Sequence, residues 1–179
     1  PHMPLVSISN HQRKPVPPVN WQGTVYHGLP EGMLKEGTGA GGYLAFLGRI
    51  CADKGILPAV EIARRAGMKL KVAAKVDPAD QAYHERVIRP LLGHPLVEFI
   101  GEIGEADKGA FLGGARALLF PIDWPEPFGL VMIEAMACGT PVIAYSAGSV
   151  PEIVEDGLTG FIVDDEIAAA DAIRDRLSS

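Results

Sequence analysis

The chain has 179 residues, of which 47% are hydrophobic and 21% are charged, with a formal net charge of -6. This composition predicts a globular protein that is long enough for one domain with a substantial core. The acidic balance argues against a nucleic-acid-binding surface, no apolar run reaches the roughly 18 residues of a membrane-spanning helix, and nothing resembles a secretory signal.

Residues 1–40, called the head below, follow no regular pattern. The first three letters, PHM, resemble a cloning remnant. LVSISN (5–10) and GTVYHGL (23–29) predict two short strands, and the letters from 30 to 42 predict a loop or linker. A regular domain is therefore expected over residues 41–179, and the head is either an extra layer on it or a piece of another domain.

The linker contains a glycine pattern that resembles a dinucleotide-binding loop. Gly37, Gly39 and Gly42 match G-x-G-x-x-G. In a dinucleotide site that loop follows a strand and opens a helix, so that backbone N–H groups meet the pyrophosphate. Here the pattern comes directly before a predicted strand. It therefore favours a flexible linker and argues against a nicotinamide-dependent dehydrogenase.

From residue 41 onward, short apolar runs alternate with helical patterns. The runs are nearly continuous, which is typical of strands buried on both faces. The predicted strands cover residues 43–50, 69–76, 96–103, 116–122, 141–147 and 160–165. The predicted helices cover residues 56–66, 79–92, 105–115, 128–137, 150–155 and 167–177. This alternation predicts an α/β fold with a doubly wound, mainly parallel sheet and helices on both faces.

The loop after the first core strand, GRICADKG (48–55), is a candidate phosphate site. Gly48 permits a tight turn at the carboxyl end of the strand, and Arg49 and Lys54 flank a loop that opens a helix. Ligands of doubly wound sheets bind at that edge, and two cations beside a helix N-terminus suit a diphosphate. The alternative is an ordinary solvated arginine and lysine.

Two acids stand in EPFGLVMIEAMACGTPVIA (126–144). Glu126 falls in the loop after the fourth core strand, and Glu134 lies in an apolar helix that starts at the same edge. A buried carboxylate needs a partner or a function, and carboxylates suit the vicinal hydroxyls of a sugar or ribose. Cations for phosphates beside acids for hydroxyls indicate a nucleotide-sugar. For Glu134 the alternative is a buried acid that backbone amides satisfy.

These two motifs, together with GSVPEIVEDGLTGFIV (148–163), resemble the carboxyl-terminal domain of group 1 glycosyltransferases of the retaining family 4 type. The resemblance covers about residues 41–165. Enzymes of that type have two facing Rossmann-like domains, the GT-B architecture. The resemblance therefore implies that this chain is a Rossmann-like, donor-binding half of such an enzyme.

The resemblance assigns ten residues to the donor site. They are Gly48, Arg49, Lys54, Ile103, Glu126, Phe128, Gly129, Leu130, Val131 and Glu134. It implies that Arg49 and Lys54 hold the donor diphosphate, that Glu126 contacts the sugar hydroxyls and that Glu134 contacts the ribose. Arg49, Lys54 and Glu126 are the implied catalytic residues. The implied ligand is a nucleoside diphosphate-sugar, with UDP favoured over GDP and ADP.

The remaining assignments concern the backbone and the base. Residues 128–131 would line the sugar and phosphates with backbone groups, and Ile103 would lie by the base. The chain departs from the family where AAKVDPAD (73–80) replaces a glycine-rich turn. Lys75 in that stretch is either a further phosphate or base contact or a surface lysine.

No metal or further cofactor is implied by the resemblance. The sequence has no Asp-x-Asp metal motif, because Asp164 and Asp165 are adjacent and instead predict a helix cap. Cys51 and Cys138 lack metal-type spacing and predict free thiols in a reducing compartment. A cytoplasmic protein is therefore expected.

In two-domain enzymes of this type the acceptor, a carbohydrate or small molecule, binds mainly on the amino-terminal domain. The resemblance implies that the head holds the last strand of that domain and the crossover linker, and that residues 41–179 bind the donor without turnover on their own. The strand at 5–10 is then expected to be mobile or to associate with another copy. A non-catalytic nucleotide-binding module and a sugar-nucleotide epimerase are the alternative functions.

Overall fold

The fold is built around a six-stranded parallel sheet in the computed structural model, which describes residues 3–177. The strands are β1 Leu5–Ser7, β2 Trp21–Thr24, β3 Tyr43–Arg49, β4 Lys69–Lys75, β5 Val97–Gly101, β6 Ala117–Phe120, β7 Val142–Tyr145 and β8 Gly160–Val163. The order in the large sheet is β5-β4-β3-β6-β7-β8, and all neighbours are parallel. This confirms the predicted doubly wound α/β fold.

The helices lie on both faces of this sheet and connect its strands. They are α1 Ile56–Ala66, α2 Gln81–Tyr83, α3 Glu105–Gly113, α4 Leu130–Ala137, α5 Val150–Ile153 and α6 Glu166–Arg176. Asp165 caps α6 by accepting a hydrogen bond from the amide of Ala168 at 2.8 Å, so the predicted cap is confirmed. No helix between residues 3 and 177 combines the length and apolar composition needed to cross a bilayer.

Strand β3 is buried on both faces and separates two core clusters. Leu44 and Phe46 pack into the cluster that includes α1 and α6. Tyr43 and Ala45 pack into the cluster that includes α3 and α4. Because successive strand residues point to opposite faces, all four side chains can be buried together, with none more than 7% exposed. This explains the continuous apolar run in the sequence.

The prediction of one regular α-helix over 79–92 is wrong. After α2 the chain widens to π-helical turns over His84–Ile88 and tightens to a 3-10 turn over Arg89–Gly93. Pro90 supplies the reason, since it has no backbone N–H and its ring clashes with the carbonyl four residues earlier. Wider and tighter turns take the place of one continuous α-helix.

The two strands of the head pair with each other as a separate parallel sheet. β1 is shorter than the predicted strand over 5–10, and β2 is displaced from the predicted 23–29. A strand at 5–10 that is mobile or bound to another copy was expected, whereas β1 obtains its ladder within the chain. Association of copies through the outer edge of β1 stays a prediction. Pro1 and His2 of the predicted cloning remnant lie outside the described residues.

Glu152 on α5 anchors the head to the domain. Its carboxylate accepts hydrogen bonds from the amides of Asn10 at 2.7 Å and His11 at 2.6 Å. The Asn10 side chain at 3.0 Å and the Tyr26 hydroxyl at 2.9 Å complete the set. Burial alone would raise the pKa of Glu152, but the hydrogen bonds from the amides of Asn10 and His11 and from Tyr26 outweigh it and lower that pKa.

The linker is fixed to the domain, and the prediction of a flexible segment is wrong. The amide of Gly37 donates to the carbonyl of Cys138 at 2.9 Å, and that of Gly39 donates to the carbonyl of Gly113 at 2.9 Å. An ideal Cβ on Gly37 would collide with the backbone of Gly113. The glycine is therefore needed for close backbone approach. As predicted, the glycine pattern precedes β3 and opens no helix.

Replacing Glu152 with glutamine should loosen the head at neutral pH. The variant keeps the size of the side chain but removes the charge that strengthens hydrogen bonds from the head. We expect head opening to become easier by about 2 kcal/mol. Hydrogen exchange at the amides of Asn10 and His11 would measure the change. Glu155→Gln is the matched control, because this exposed carboxylate accepts no hydrogen bond within residues 3–177.

The same anchor should make the head sensitive to acid. Folding lowers the pKa of Glu152. Its contribution to the stability of the docked head is therefore complete above the ordinary pKa of 4.5 and is lost as the pH falls through the folded pKa. Amide protection in the head should therefore fall on acidification in the wild-type chain. An equal acid dependence in Glu152→Gln would rule out Glu152 as the responsible group.

Candidate functional site

The winding of the sheet reverses between β3 and β6. From β3 the chain runs outward through β4 to β5, and then returns to the other side of β3 to form β6, β7 and β8. The loops after β3 and β6 consequently diverge and leave a crevice at the carboxyl ends of these two strands. This is where doubly wound sheets bind their ligands.

A cavity of about 230 Å³ occupies this crevice. Seven of the ten predicted site residues line it, namely Gly48, Arg49, Lys54, Glu126, Gly129, Leu130 and Val131. The other lining residues are Phe46, Leu47, Leu119 and Phe120. The cavity is therefore apolar at its base, with two cations and one carboxylate among its polar groups.

Lys54 and Glu126 form an ion pair across the cavity wall. The ammonium of Lys54 donates to Oε2 of Glu126, and both side chains are largely buried. The indole N–H of Trp124 donates to the same oxygen at 2.9 Å. Lys54 also lies over the Trp124 ring, 4.7 Å from its centroid. Sequence reasoning missed Trp124, whose only signal was its position two residues before Glu126.

Close backbone packing holds the two site loops together. The amide of Asp123 donates to the carbonyl of Asp53 at 3.1 Å, which ties the loop of Glu126 to that of Lys54. Gly55 has a φ of 75°, and a Cβ there would collide with the backbone of Pro121. The left-handed backbone and the close approach both require glycine. The position of the Lys54 ammonium thus depends on a loop that the segment after β6 supports.

Arg49 and Lys75 share one carboxylate at the edge of the site. Asp77 binds Arg49 Nη1 and Lys75 Nζ, each at 3.2 Å. The hydrogen bond from Arg49, followed by that from Lys75, lowers the pKa of Asp77, and the same contact raises the pKa of Arg49. All three groups reach solvent, so the pairing contributes little to stability. Lys75, left open by the sequence, lies in this exposed cluster.

Glu134 is buried away from the cavity lining and has a lysine as its partner. Lys108 on α3 donates to Oε1 of Glu134 at 2.9 Å and also binds Glu105 at 2.7 Å. The alternative, in which backbone amides satisfy Glu134, is therefore wrong, because the partner is a lysine. Burial would lower the pKa of Lys108, but hydrogen bonds to Glu105 and Glu134 outweigh it and raise that pKa. Sequence reasoning missed Lys108. Its spacing from Glu105 predicts a pair within the helix, but nothing in the sequence indicates the contact with Glu134 on another helix.

The N-terminus of α4 opens on the cavity. Gly129 precedes the helix with a φ of 78°, and no side chain caps the first turn. Uncapped first-turn amides at the positive end of the helix dipole form a suitable environment for an anion. The lining residues Leu130 and Val131 belong to this turn.

The other predicted residues lie behind the cavity or beside it. Phe128 is buried, and its ring contacts His27 of the head edge-on at a centroid distance of 4.9 Å. Its carbonyl accepts a hydrogen bond from Ser149 at 2.8 Å. Ile103, between β5 and α3, is partly buried against the second core cluster. These two residues support or flank the site, and neither lines the cavity.

The family model for glycosyl transferases group 1 matches residues 39–179. Alpha-maltose-1-phosphate synthase of Mycolicibacterium smegmatis is 28% identical over 149 residues, which cover 75% of this chain and 36% of that protein. The region that the family model matches contains Arg49 and Lys54 as well as Glu126 and Glu134.

Two solved structures share the fold. Sucrose-phosphate synthase from Thermosynechococcus elongatus has a TM-score of 0.84 at 25% identity, covering 98% of this chain and 49% of that one. Anabaena Alr3699/HepE in complex with UDP and glucose has a TM-score of 0.81 at 20% identity, covering 97% and 53%. The chain thus spans between about a third and a half of the proteins it resembles.

Replacing Lys108 with methionine should destabilise the domain through Glu134. The change leaves a buried carboxylate without its cation, which costs about 3 kcal/mol, and the melting temperature should fall accordingly. The double variant Lys108→Met with Glu134→Gln should recover part of the loss, because no uncompensated charge remains. Lys69→Met, at an exposed lysine of β4, is the control. Equal melting of the Lys108→Met and Lys69→Met variants would contradict the role of the ion pair.

Proposed function

Because the chain belongs to the glycosyl transferases of group 1, we propose that it binds a nucleoside diphosphate-sugar and forms the donor side of a retaining sugar transfer. The cavity between β3 and β6 carries this proposal. It gathers Arg49, Lys54 and Glu126 from loops that are far apart in the chain, beside the uncapped start of α4. A diphosphate needs cations and amides, and a sugar needs a hydrogen-bond acceptor for its hydroxyls.

The diphosphate would bind by exchanging partners with groups already in place. Arg49 is held by Asp77 in an exposed pair, which solvent screens, whereas a diphosphate offers it a stronger charge-assisted bond. Arg49 can therefore leave Asp77 for a phosphate. Lys54 borders the same space from the other side, and the first amides of α4 would meet the phosphates from below.

The same groups suit the chemical step that we propose. In a retaining transfer the bond between the sugar and the diphosphate breaks while an acceptor oxygen bonds to the same face of the sugar. Negative charge develops on the departing phosphate, which takes the acceptor proton. Arg49, Lys54 and the start of α4 would stabilise that charge, since they are positioned before the reaction begins. Glu126 would hold the sugar hydroxyls and so orient the ring. These donor-side roles fall to residues of this chain, and none of them needs a metal.

We propose that Glu134 binds the ribose. Lys108 occupies its Oε1, and Oε2 accepts no hydrogen bond between residues 3 and 177. UDP is the favoured nucleotide, in line with the UDP complex of the structurally similar HepE. Residues 41–179 would be the donor domain, in a cytoplasmic protein whose cysteines are free. The acceptor site would lie in the part of such enzymes that this chain does not span, so the isolated chain would bind donor without transferring sugar.

Replacing Lys54 with methionine should weaken UDP by about ten- to a hundredfold, because one charge-assisted bond is lost. Calorimetry should show almost no change for uridine, which lacks the phosphates. Lys71→Met is the control, since Lys71 lies in β4 over the ring of Tyr43 and outside the cavity lining. An equal loss for UDP and uridine would mean that Lys54 acts through folding.

Variants of the two acids should lose affinity for different ligands. Glu126→Gln should weaken UDP-glucose but leave UDP nearly unchanged, because only the sugar contacts this carboxylate in our proposal. Glu134→Gln should weaken both, since both contain ribose. The comparison needs titrations of both ligands into both variants. Identical loss patterns would refute the division of roles, and normal binding with a lower melting temperature would make Glu134 a purely structural acid.

A further inference from the structure

We propose that Trp124 is a positioning residue of the donor site, which selects the oxygen of Glu126 that meets the sugar. The inference rests on the proposed function and goes beyond it. Trp124 binds the carboxylate through its indole N–H and supports Lys54 through its ring face. One side chain thereby sets both partners of the ion pair.

The two donors converge on a single oxygen. Oε2 of Glu126 accepts from Lys54 and from the indole N–H of Trp124. Oε1 accepts no hydrogen bond from any residue between 3 and 177. A carboxylate held at one oxygen by two donors presents the other in one orientation. Oε1 is therefore the oxygen that the structure leaves for a sugar hydroxyl.

The backbone makes this arrangement rigid. The amide of Glu126 donates to the carbonyl of Trp124 at 2.8 Å, which closes a tight turn over Pro125. Proline restricts the φ angle of its own residue in that turn. The carbonyl of Glu126 accepts from the amide of Ser149 at 2.9 Å. Trp124 itself packs against the second core cluster, so its indole is a supported donor and not a mobile surface ring.

The ring and the N–H have separable effects. Trp124→Phe removes the N–H but keeps an aromatic face under Lys54, which retains part of the cation–π attraction. The phosphate contact of Lys54 should therefore survive, while the carboxylate is freed to rotate. This predicts a loss of sugar recognition with little loss of diphosphate binding.

The first test needs no ligand. The chain has two tryptophans, whose indole N–H signals can be followed by nuclear magnetic resonance. Glu126→Gln should shift the Trp124 signal, because its charged acceptor becomes neutral, and should leave the Trp21 signal in place. An unmoved Trp124 signal would overturn the inference whatever the chain binds.

The second test measures discrimination between UDP-glucose and UDP by calorimetry. Trp124→Phe should weaken UDP-glucose by about tenfold and UDP by no more than about twofold. In the Glu126→Gln background the same change should have no further effect on the ratio, because Trp124 acts through that carboxylate. Trp21→Phe is the matched control, since Trp21 also carries a cation, Arg13, over its ring at 5.2 Å but lies in the head. It should change neither affinity.

Each other result has a separate meaning. Equal weakening of both ligands by Trp124→Phe would make Trp124 a folding residue and overturn the inference. A ratio that still falls in the Glu126→Gln background would mean that Trp124 does not act through Glu126. A wild-type chain that binds neither ligand would overturn the proposed function, and the positioning role would fall with it even if the resonance test succeeded.

Discussion

The structure depends on the place of β3 between β4 and β6, where the winding of the sheet reverses. The apolar residues of β3 are buried on both faces, so this strand must lie in the interior of the sheet with helices above and below. Reversal at that point sends the two neighbouring loops apart and leaves the carboxyl ends of β3 and β6 open. Lys54 and Glu126 are 72 positions apart in the chain and still form an ion pair there. The site is a consequence of the topology as much as of its residues.

Three carboxylates of the domain have hydrogen-bond donors that differ in kind. Glu134 has Lys108, Glu126 has Lys54 and an indole, and Glu152 has amides and a hydroxyl of the head. Buried ion pairs contribute little net stability compared with apolar packing, because desolvation opposes their attraction. Their effect here is to orient side chains. The Lys54–Glu126 pair, for example, holds a cation and an acid in contact at the cavity wall.

Much of this arrangement could be predicted from the sequence, but only up to the level of elements and edges. Apolar runs and helix signals predicted the six core strands and the approximate bounds of the helices, because period and termination are local properties. The edge carrying Arg49, Lys54 and Glu126 followed from the rule that parallel strands end together. Contacts between elements could not be predicted in the same way. Lys108 meets Glu134 only because α3 packs beside α4, and Asp77 holds Arg49 only because β4 adjoins β3. The irregular helix after β4 could not be predicted from periodicity, because Pro90 interrupts a pattern that is otherwise helical.

The short connection around Gly148 joins the head to the site in a way that has a thermodynamic consequence. Gly148 packs directly against the backbone of Glu126, Ser149 bonds to Phe128, and α5 begins there and carries Glu152 to the head. Docking of the head and the placement of the Glu126 loop thus both involve the segment 148–153. Such linkage is reciprocal for binding free energies. If the docked head changes the affinity of the cavity for a ligand by some factor, a bound ligand must change the equilibrium constant for docking of the head by the same factor.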